Sequence, residues 1–143
     1  MKIAVASDHG GYELKEMIIG YLESMETAVL DLGTDSEESV DYPVFGDKCA
    51  KAVASGEADK GIVVCGTGIG ISIAANKTKG IRCALCTSPQ MAEMAAKHNN
   101  ANMIALGGRT TEAPLAFEII DTWLSTPFEG GRHKRRTDML DSL

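Results

Sequence analysis

Three short segments of this chain are apolar at consecutive positions: IAVA at 3–6, IVV at 62–64 and MIAL at 103–106. A strand reads this way when helices cover both faces of a parallel sheet, whereas a half-exposed antiparallel strand alternates. The β-rich runs Ile3–Ser7, Ala28–Leu32, Gly61–Cys65, Ile81–Cys86 and Met103–Leu106 give five expected strands. Between them the hydrophobic period lengthens to that of a helix. Leu14, Met17, Ile18, Tyr21, Leu22 and Met25 recur at three- and four-residue steps, with Glu13, Lys15, Glu16 and Glu23 facing elsewhere. Further helices are expected over 44–55, 69–76, 88–97 and 112–124, so the chain reads βαβαβαβαβ followed by another helix and a tail. The expectation is a doubly wound α/β domain on a five-stranded parallel sheet, its strand order left open.

A chain of 143 residues has room for one domain of this kind, spanning 1–143. Hydrophobic residues at 44% and charged ones at 24% fit a globular chain and oppose a disordered or collagen-like one. No apolar run reaches bilayer length. The opening MKIAVASDHGG lacks the apolar stretch and cleavage site of a secretory signal, so a soluble protein of the cytoplasm is expected. In that reducing setting Cys49, Cys65, Cys83 and Cys86 stay as thiols. The net charge of −6 opposes a general role in binding nucleic acid, and no segment suggests a membrane partner. The charge is uneven, however. GRHKRRT at 131–137 holds four of the 14 Lys and Arg and no acid, a local trap for anions on an acidic body.

Doubly wound sheets bind ligands at the carboxyl ends of their strands. After the third strand comes Cys65-Gly66-Thr67-Gly68-Ile69-Gly70, leading into a helix. The glycines let the backbone bend around a ligand, and amides at a helix start hold anions. A thiol in that place has its thiolate favoured and suits a base or nucleophile; the competing reading is an inert cysteine closing a buried strand. The spacing, G-x-G-x-G after the third strand, matches neither the dinucleotide fingerprint nor a P-loop. Cys83 and Cys86, three apart in a strand, face opposite sides and read as core thiols, as does Cys49 beside Val44, Phe45 and Val53.

Asp8-His9-Gly10-Gly11 closes the first strand with a carboxylate and an imidazole, although an Asp there also caps a helix. His98-Asn99-Asn100-Ala101-Asn102 follows the fourth helix and reads either as a polar site or as a C-cap and turn. Histidines 9, 98 and 133 fall in separate loops without metal-ligand spacing, so neither a zinc site nor a catalytic metal is expected, and no cofactor is implied. Arg132 and Arg136 stand four apart. On a helix both guanidinium groups project from one face and can grip a phosphate, with Arg109 joining them. The RHKRR run alone reads as a solvated basic surface; the glycine-rich loop and acidic body favour a small phosphorylated ligand.

Taken in order, DHGG at 8–11, GTDS at 33–36, DYP at 41–43, VVCGTGIG at 63–70, HNNAN at 98–102, LGGR at 106–109 and FEGGRHKRR at 128–136 resemble the ribose-5-phosphate isomerase B family, nearly end to end. That family is grouped with galactose-6-phosphate isomerase subunits and allose-6-phosphate isomerases. The resemblance implies a Rossmann-like three-layer α/β/α sandwich and a cofactor-free aldose–ketose isomerase that interconverts ribose 5-phosphate and ribulose 5-phosphate. It implies that Cys65 is the base moving a proton between carbons 1 and 2, and that His98 is the acid opening the furanose ring, with Asp8 assisting. By the same resemblance Gly66, Thr67, Gly68, Ile69 and Gly70 hold the enediolate oxygens, Asn99 binds sugar hydroxyls and Tyr42 lines the pocket. Arg109, Arg132, Arg136 and His9 take the phosphate, with the tail 128–143 completing that part of the site. Sites in the family are shared between two subunits, which implies a homodimer or a pair of dimers, the crossing residues left open.

The chemistry is consistent with those residue types. An enediolate carries charge that prearranged donors must meet, and backbone amides supply them without a metal. A thiol of ordinary pKa, about 8.5, is a usable base near neutrality once its loop lowers it. Relatives outside this subgroup use a carboxylate as base, for which Ile69 and Ser72 offer no substitute. Two alternatives stand beside this reading: an isomerase of a six-carbon sugar phosphate, allose or galactose 6-phosphate, and a noncatalytic sugar-phosphate- or nucleotide-binding module that has no need of a reactive Cys65.

Overall fold

In the computed structural model, which describes residues 1–143, the doubly apolar runs become the middle of one parallel sheet. Its strands are β1 (Lys2–Ser7), β2 (Ala28–Asp31), β3 (Lys60–Cys65), β4 (Cys83–Leu85) and β5 (Met103–Gly107), in the order β2-β1-β3-β5-β4. The register pairs Ser7 with Val64 and Cys65 with Gly107, so the last residues of the three central strands lie side by side. Six helices follow the chain: α1 (Tyr12–Ser24), α2 (Tyr42–Ala54), α3 (Ile69–Ala75), α4 (Pro89–Asn99), α5 (Ala113–Ser125) and α6 (Arg132–Asp141). A single 3-10 turn, His9–Gly11, leads into α1.

Alternate strand residues feed two separate cores. Ile3, Val5, Ile62, Val64, Ile104 and Leu106 pack against α1, α4 and α5, with Trp123 fully buried among them. Ala4, Ala6, Val63, Cys65, Met103 and Ala105 face α2 and α3 through Cys49, Ala50 and Ile71. The result is a three-layer α/β/α sandwich. The chain runs from β1 outward to β2 and then returns to β3 on the other side of β1, so the direction of winding reverses between β1 and β3. A reversal of this kind opens a crevice at the carboxyl ends of the strands.

Several expectations need correction. The fourth strand is three residues, because the backbone before it is satisfied by side chains instead of a ladder. Asn102 accepts from the Arg82 amide and donates to Gly80 O, while Asn76 bonds both the N–H and the carbonyl of Cys83. The second helix begins at Tyr42, with Pro43 tolerated in its first turn, where no intrahelical donor is needed. Lys15 does not face solvent. Its side chain is wholly buried, with Nζ at 2.8 Å from Glu16 and 3.0 Å from Asp31. Those two carboxylates outweigh desolvation and raise its pKa. The apolar stripe of α1 is correspondingly narrower, Met17 and Met25 lying exposed. The basic tail is a helix, α6, packed on α4.

Parallel strands place all their carboxyl ends on one edge, and each following helix carries the chain back to the other. Asp8, Cys65 and Arg109 therefore sit on the carboxyl edge, whereas His98 and Asn99, at the end of α4, sit on the amino edge. Helix α6 lies along that amino edge too: Arg82, just before β4, pairs with Asp141 at 2.6 Å and donates to the carbonyls of Asn99 and Asn100.

Candidate active site

The three central strands deliver three turns to one place. Asp8, after β1, donates its amide to Val64 O, and its Oδ1 accepts from Gly10 N at 2.9 Å and Gly11 N at 3.1 Å. It is thus the cap of the 3-10 turn, and it is 7% exposed. After β5, Gly108 donates to Cys65 O at 2.8 Å and Arg109 to Gly66 O at 2.9 Å, which locks the two turns together. The approach is close enough to require glycine at Gly108, where a methyl group would come within 2.5 Å of Gly10 O, and one on Gly10 would come within 3.1 Å of Gly66 N and 3.3 Å of Arg109 Cζ. The Arg109 guanidinium consequently lies over the Gly10 and Gly66 turns, its side chain otherwise exposed.

Cys65 ends β3 with its sulfur in the α2–α3 layer, 5% exposed. The Gly68 N–H donates to Cys65 Sγ at 3.2 Å, a contact possible because Gly68 adopts a left-handed φ of +81°. Thr67 is exposed, and its Oγ1 accepts from Ile69 N at 3.2 Å. The first turn of α3 leaves amides with no intrahelical acceptor. Tyr42 packs its ring across Gly70, whose added methyl would meet Cζ at 2.6 Å, so Tyr42 forms a wall beside the turn. His9 accepts the Val40 N–H on Nδ1 at 3.2 Å, which fixes Nε2 as the free ring nitrogen.

Burial pushes Cys49 up to about 12 and Cys86 up to about 11, and raises Cys83 further. Cys83 and Cys86 do fall on opposite faces of the sheet.

The remaining expected site residues are elsewhere in the same chain. His98, Asn99, Arg132 and Arg136 are on the amino edge, separated from Cys65 by the length of a strand, roughly 15–20 Å at about 3.3 Å per residue. The single-chain grouping of Arg109 with Arg132 and Arg136 therefore does not occur. His98 and His133 are not in separate loops but on α4 and α6, stacked with centroids 4.2 Å apart. Glu129 stands between them, Oε1 at 3.4 Å from His98 Nε2 and 3.5 Å from His133 Nε2. Burial, followed by the neighbouring His98 and Arg132, holds His133 below the ordinary imidazole pKa. Glu129 carries one signal in the sequence, its spacing of four from His133. A cavity of about 560 Å³ opens on this amino edge, lined by Lys77, Lys79, Arg82, Asn99 and Leu140.

Fold and turn chemistry together define a doubly wound α/β protein with a hydrogen-bonded thiol at the switch point of its sheet. Residues 3–140 match the Ribose/Galactose Isomerase family, and the chain belongs to it. It is 45% identical over 142 residues to ribose-5-phosphate isomerase B of Escherichia coli, covering 99% of this chain and 95% of that one. The solved ribose-5-phosphate isomerase B of Clostridium thermocellum superposes with a TM-score of 0.98 at 55% identity, covering 99% of this chain and 96% of the other. That of Mycoplasma genitalium, with bound ribulose 5-phosphate, superposes at 0.93 and 40% identity, covering 99% and 94%.

Proposed function

We propose that this protein interconverts ribose 5-phosphate and ribulose 5-phosphate by proton transfer through an enediolate. The observation that carries the reading is the Cys65 sulfur, held by the Gly68 amide at 3.2 Å in a turn whose Gly66 lies against the Gly10 turn and the Arg109 guanidinium. The likeness to ribose-5-phosphate isomerases B along the whole chain supports it. In this reading the Cys65 thiolate removes the proton on carbon 2 of the open-chain aldose. The electron pair moves into the carbon 1–carbon 2 bond as the carbonyl pair moves onto oxygen 1; the hydroxyl proton then passes from oxygen 2 to oxygen 1, and the carbon proton returns at carbon 1. Thr67 and the amides of the 66–70 turn meet the charge that develops on the oxygens. Tyr42 walls the sugar, while Arg109 and the free Nε2 of His9 face the phosphate.

The acid for ring opening, His98, with Asn99, Arg132 and Arg136, comes from a second copy of the chain, because no single copy reaches from one sheet edge to the other. Asp8 assists the opening from the first copy. The homodimer so formed has two equivalent sites, each with a carboxyl edge from one protomer and the partner's His98 and arginines from the 128–143 segment. Beside the Cys65 turn the apolar side chains Ile69, Ile73, Tyr42 and Val44 are 40–59% exposed, a surface suited to cover by that second copy. The four unpaired thiols suit the cytoplasm.

The test is solvent exchange. Ribose 5-phosphate incubated in deuterated water with the wild type is expected to gain deuterium at carbon 2, and with Cys65→Ala to stay unlabelled. No label with either protein would leave a binding module instead. The same assay run on allose 6-phosphate and galactose 6-phosphate decides between five- and six-carbon substrates.

A further inference from the structure

The amino edge carries a second chemical constellation, which the isomerase reading uses only in part. The ligand-type atoms of His98, Glu129 and His133 all lie within 4.8 Å of one another. Two imidazoles and one carboxylate make a common donor set for zinc-like ions, with metal–ligand distances of about 2.0–2.2 Å. Ligands at those lengths around a tetrahedral centre stand about 3.3–3.5 Å apart. Two sides of this triangle, 3.4 Å and 3.5 Å, already have that length.

We propose that His98, Glu129 and His133 bind a divalent transition-metal ion of the zinc type, and that the bound ion arrests turnover by occupying Nε2 of His98. The arrest rests on the assignment of His98 as the ring-opening acid; the ion site does not.

The backbone supports the cluster. The Glu129 amide donates to Lys97 O at 3.1 Å, tying the turn that carries Glu129 to the helix end that carries His98. His133 follows one turn later on α6 and is nearly buried, so one ligand is held firmly. The side chains of His98 and Glu129 are 40% and 50% exposed, which gives a hydrated ion access and leaves room for water as the fourth ligand. The rings lie within 11° of parallel, and one ion cannot sit in both planes of a stack. Capture therefore turns the more exposed His98 ring out of the stack. The same turn takes its nitrogen away from a substrate. Arg132, on α6, opposes a cation electrostatically, while Lys97 is already engaged by Glu93 at 2.6 Å. A thiol-poor, two-histidine site under such repulsion gives reversible capture, not a permanent structural ion.

Titration calorimetry of the full chain with Zn²⁺ alone tests the site. Cys65→Ser is included because a thiol is the obvious competing ligand, and circular dichroism checks that each variant folds. One Zn²⁺ per chain is expected in the wild type and in Cys65→Ser. Affinity should fall at least about tenfold in Glu129→Gln and in His133→Asn, since even loss of a supporting partner costs a metal site that much. Equal affinity in the wild type and in both variants overturns the site, as does loss of binding in Cys65→Ser alone. Turnover of the wild type should fall as Zn²⁺ fills the site and return with a chelator. Binding with undiminished turnover overturns the arrest. A metal-free protein that leaves ribose 5-phosphate unlabelled in deuterated water counts against the isomerase reading and leaves the ion site standing.

Discussion

The two edges of the sheet are built from different materials. At the carboxyl edge the turns after β1, β3 and β5 are short, glycine-rich and joined by main-chain hydrogen bonds, Gly108 to Cys65 and Arg109 to Gly66. At the amino edge the work falls to side chains: Asn76 and Asn102 bracket the start of β4, Arg82 bridges α4 to Asp141, and Trp123 Nε1 donates to Ala101 O. Backbone donors cost no reorganisation and suit developing negative charge. Long side chains suit recognition of a ligand's distal groups and can be contributed by a neighbouring protomer. The contrast divides the chemistry, with proton transfer assigned to the first edge, the ring-opening acid to the second, and the phosphate grip shared between them.

Removing the sulfur should have the largest effect. Cys65→Ala is expected to lower turnover by about a thousandfold, within the range for a positioned acid or base, with deuterium incorporation at carbon 2 falling in step. If turnover fell and exchange persisted, the carboxyl edge would lose its assigned role. At the other edge Trp123→Ala should destabilise the fold by about 3–5 kcal/mol, read by urea unfolding, since it empties a large buried site and orphans Ala101 O. A cost near zero would mean that the amino edge does not depend on this anchor.

Next come the arginines, one from each edge. Arg109→Ala and Arg132→Ala should each raise KM by about 10- to 100-fold with a much smaller change in kcat, the loss expected of a charge-assisted contact to a non-reacting group. An effect at Arg109 with none at Arg132 would confine the site to one edge.

The smallest effect belongs to the thiols outside the turn. Burial raises Cys49 and Cys86 above an ordinary thiol, to about 12 and about 11. The folded state therefore keeps protons that the unfolded state releases, so stability is full below about pH 9 and falls as pH rises. Each thiol contributes up to about 1.4 kcal/mol per unit across that window. Unfolding measured at pH 7 and pH 10 should show this loss in the wild type and less of it in Cys49→Ala.

How much of this was legible beforehand follows from the same contrast. IAVA, IVV and MIAL announce a doubly covered sheet because burial on both faces leaves no polar position, and the Cys65 turn is visible because its groups are contiguous. The shortening of β4 was hidden, since it depends on Asn76 and Asn102 reaching across from other segments. Lys15 fits the polar face of α1 in sequence, yet Asp31 of β2 draws it inward. Glu129 was missed for a similar reason: its partners His98 and His133 meet only because α6 folds back on α4. HNNAN follows the fourth expected helix, which already puts it on the edge opposite the strand ends that carry Asp8 and Cys65.

The division of the site between two copies is tested most directly by mixing two inactive variants, Cys65→Ala and His98→Asn. In a mixed dimer one site carries both lesions and the other carries neither, because its cysteine comes from one protomer and its histidine from the partner. After denaturation and joint refolding at equal amounts, half the dimers are mixed and half their sites intact, so activity should return to about a quarter of the wild-type level. Activity that stays at the sum of the two variants alone would contradict the shared site.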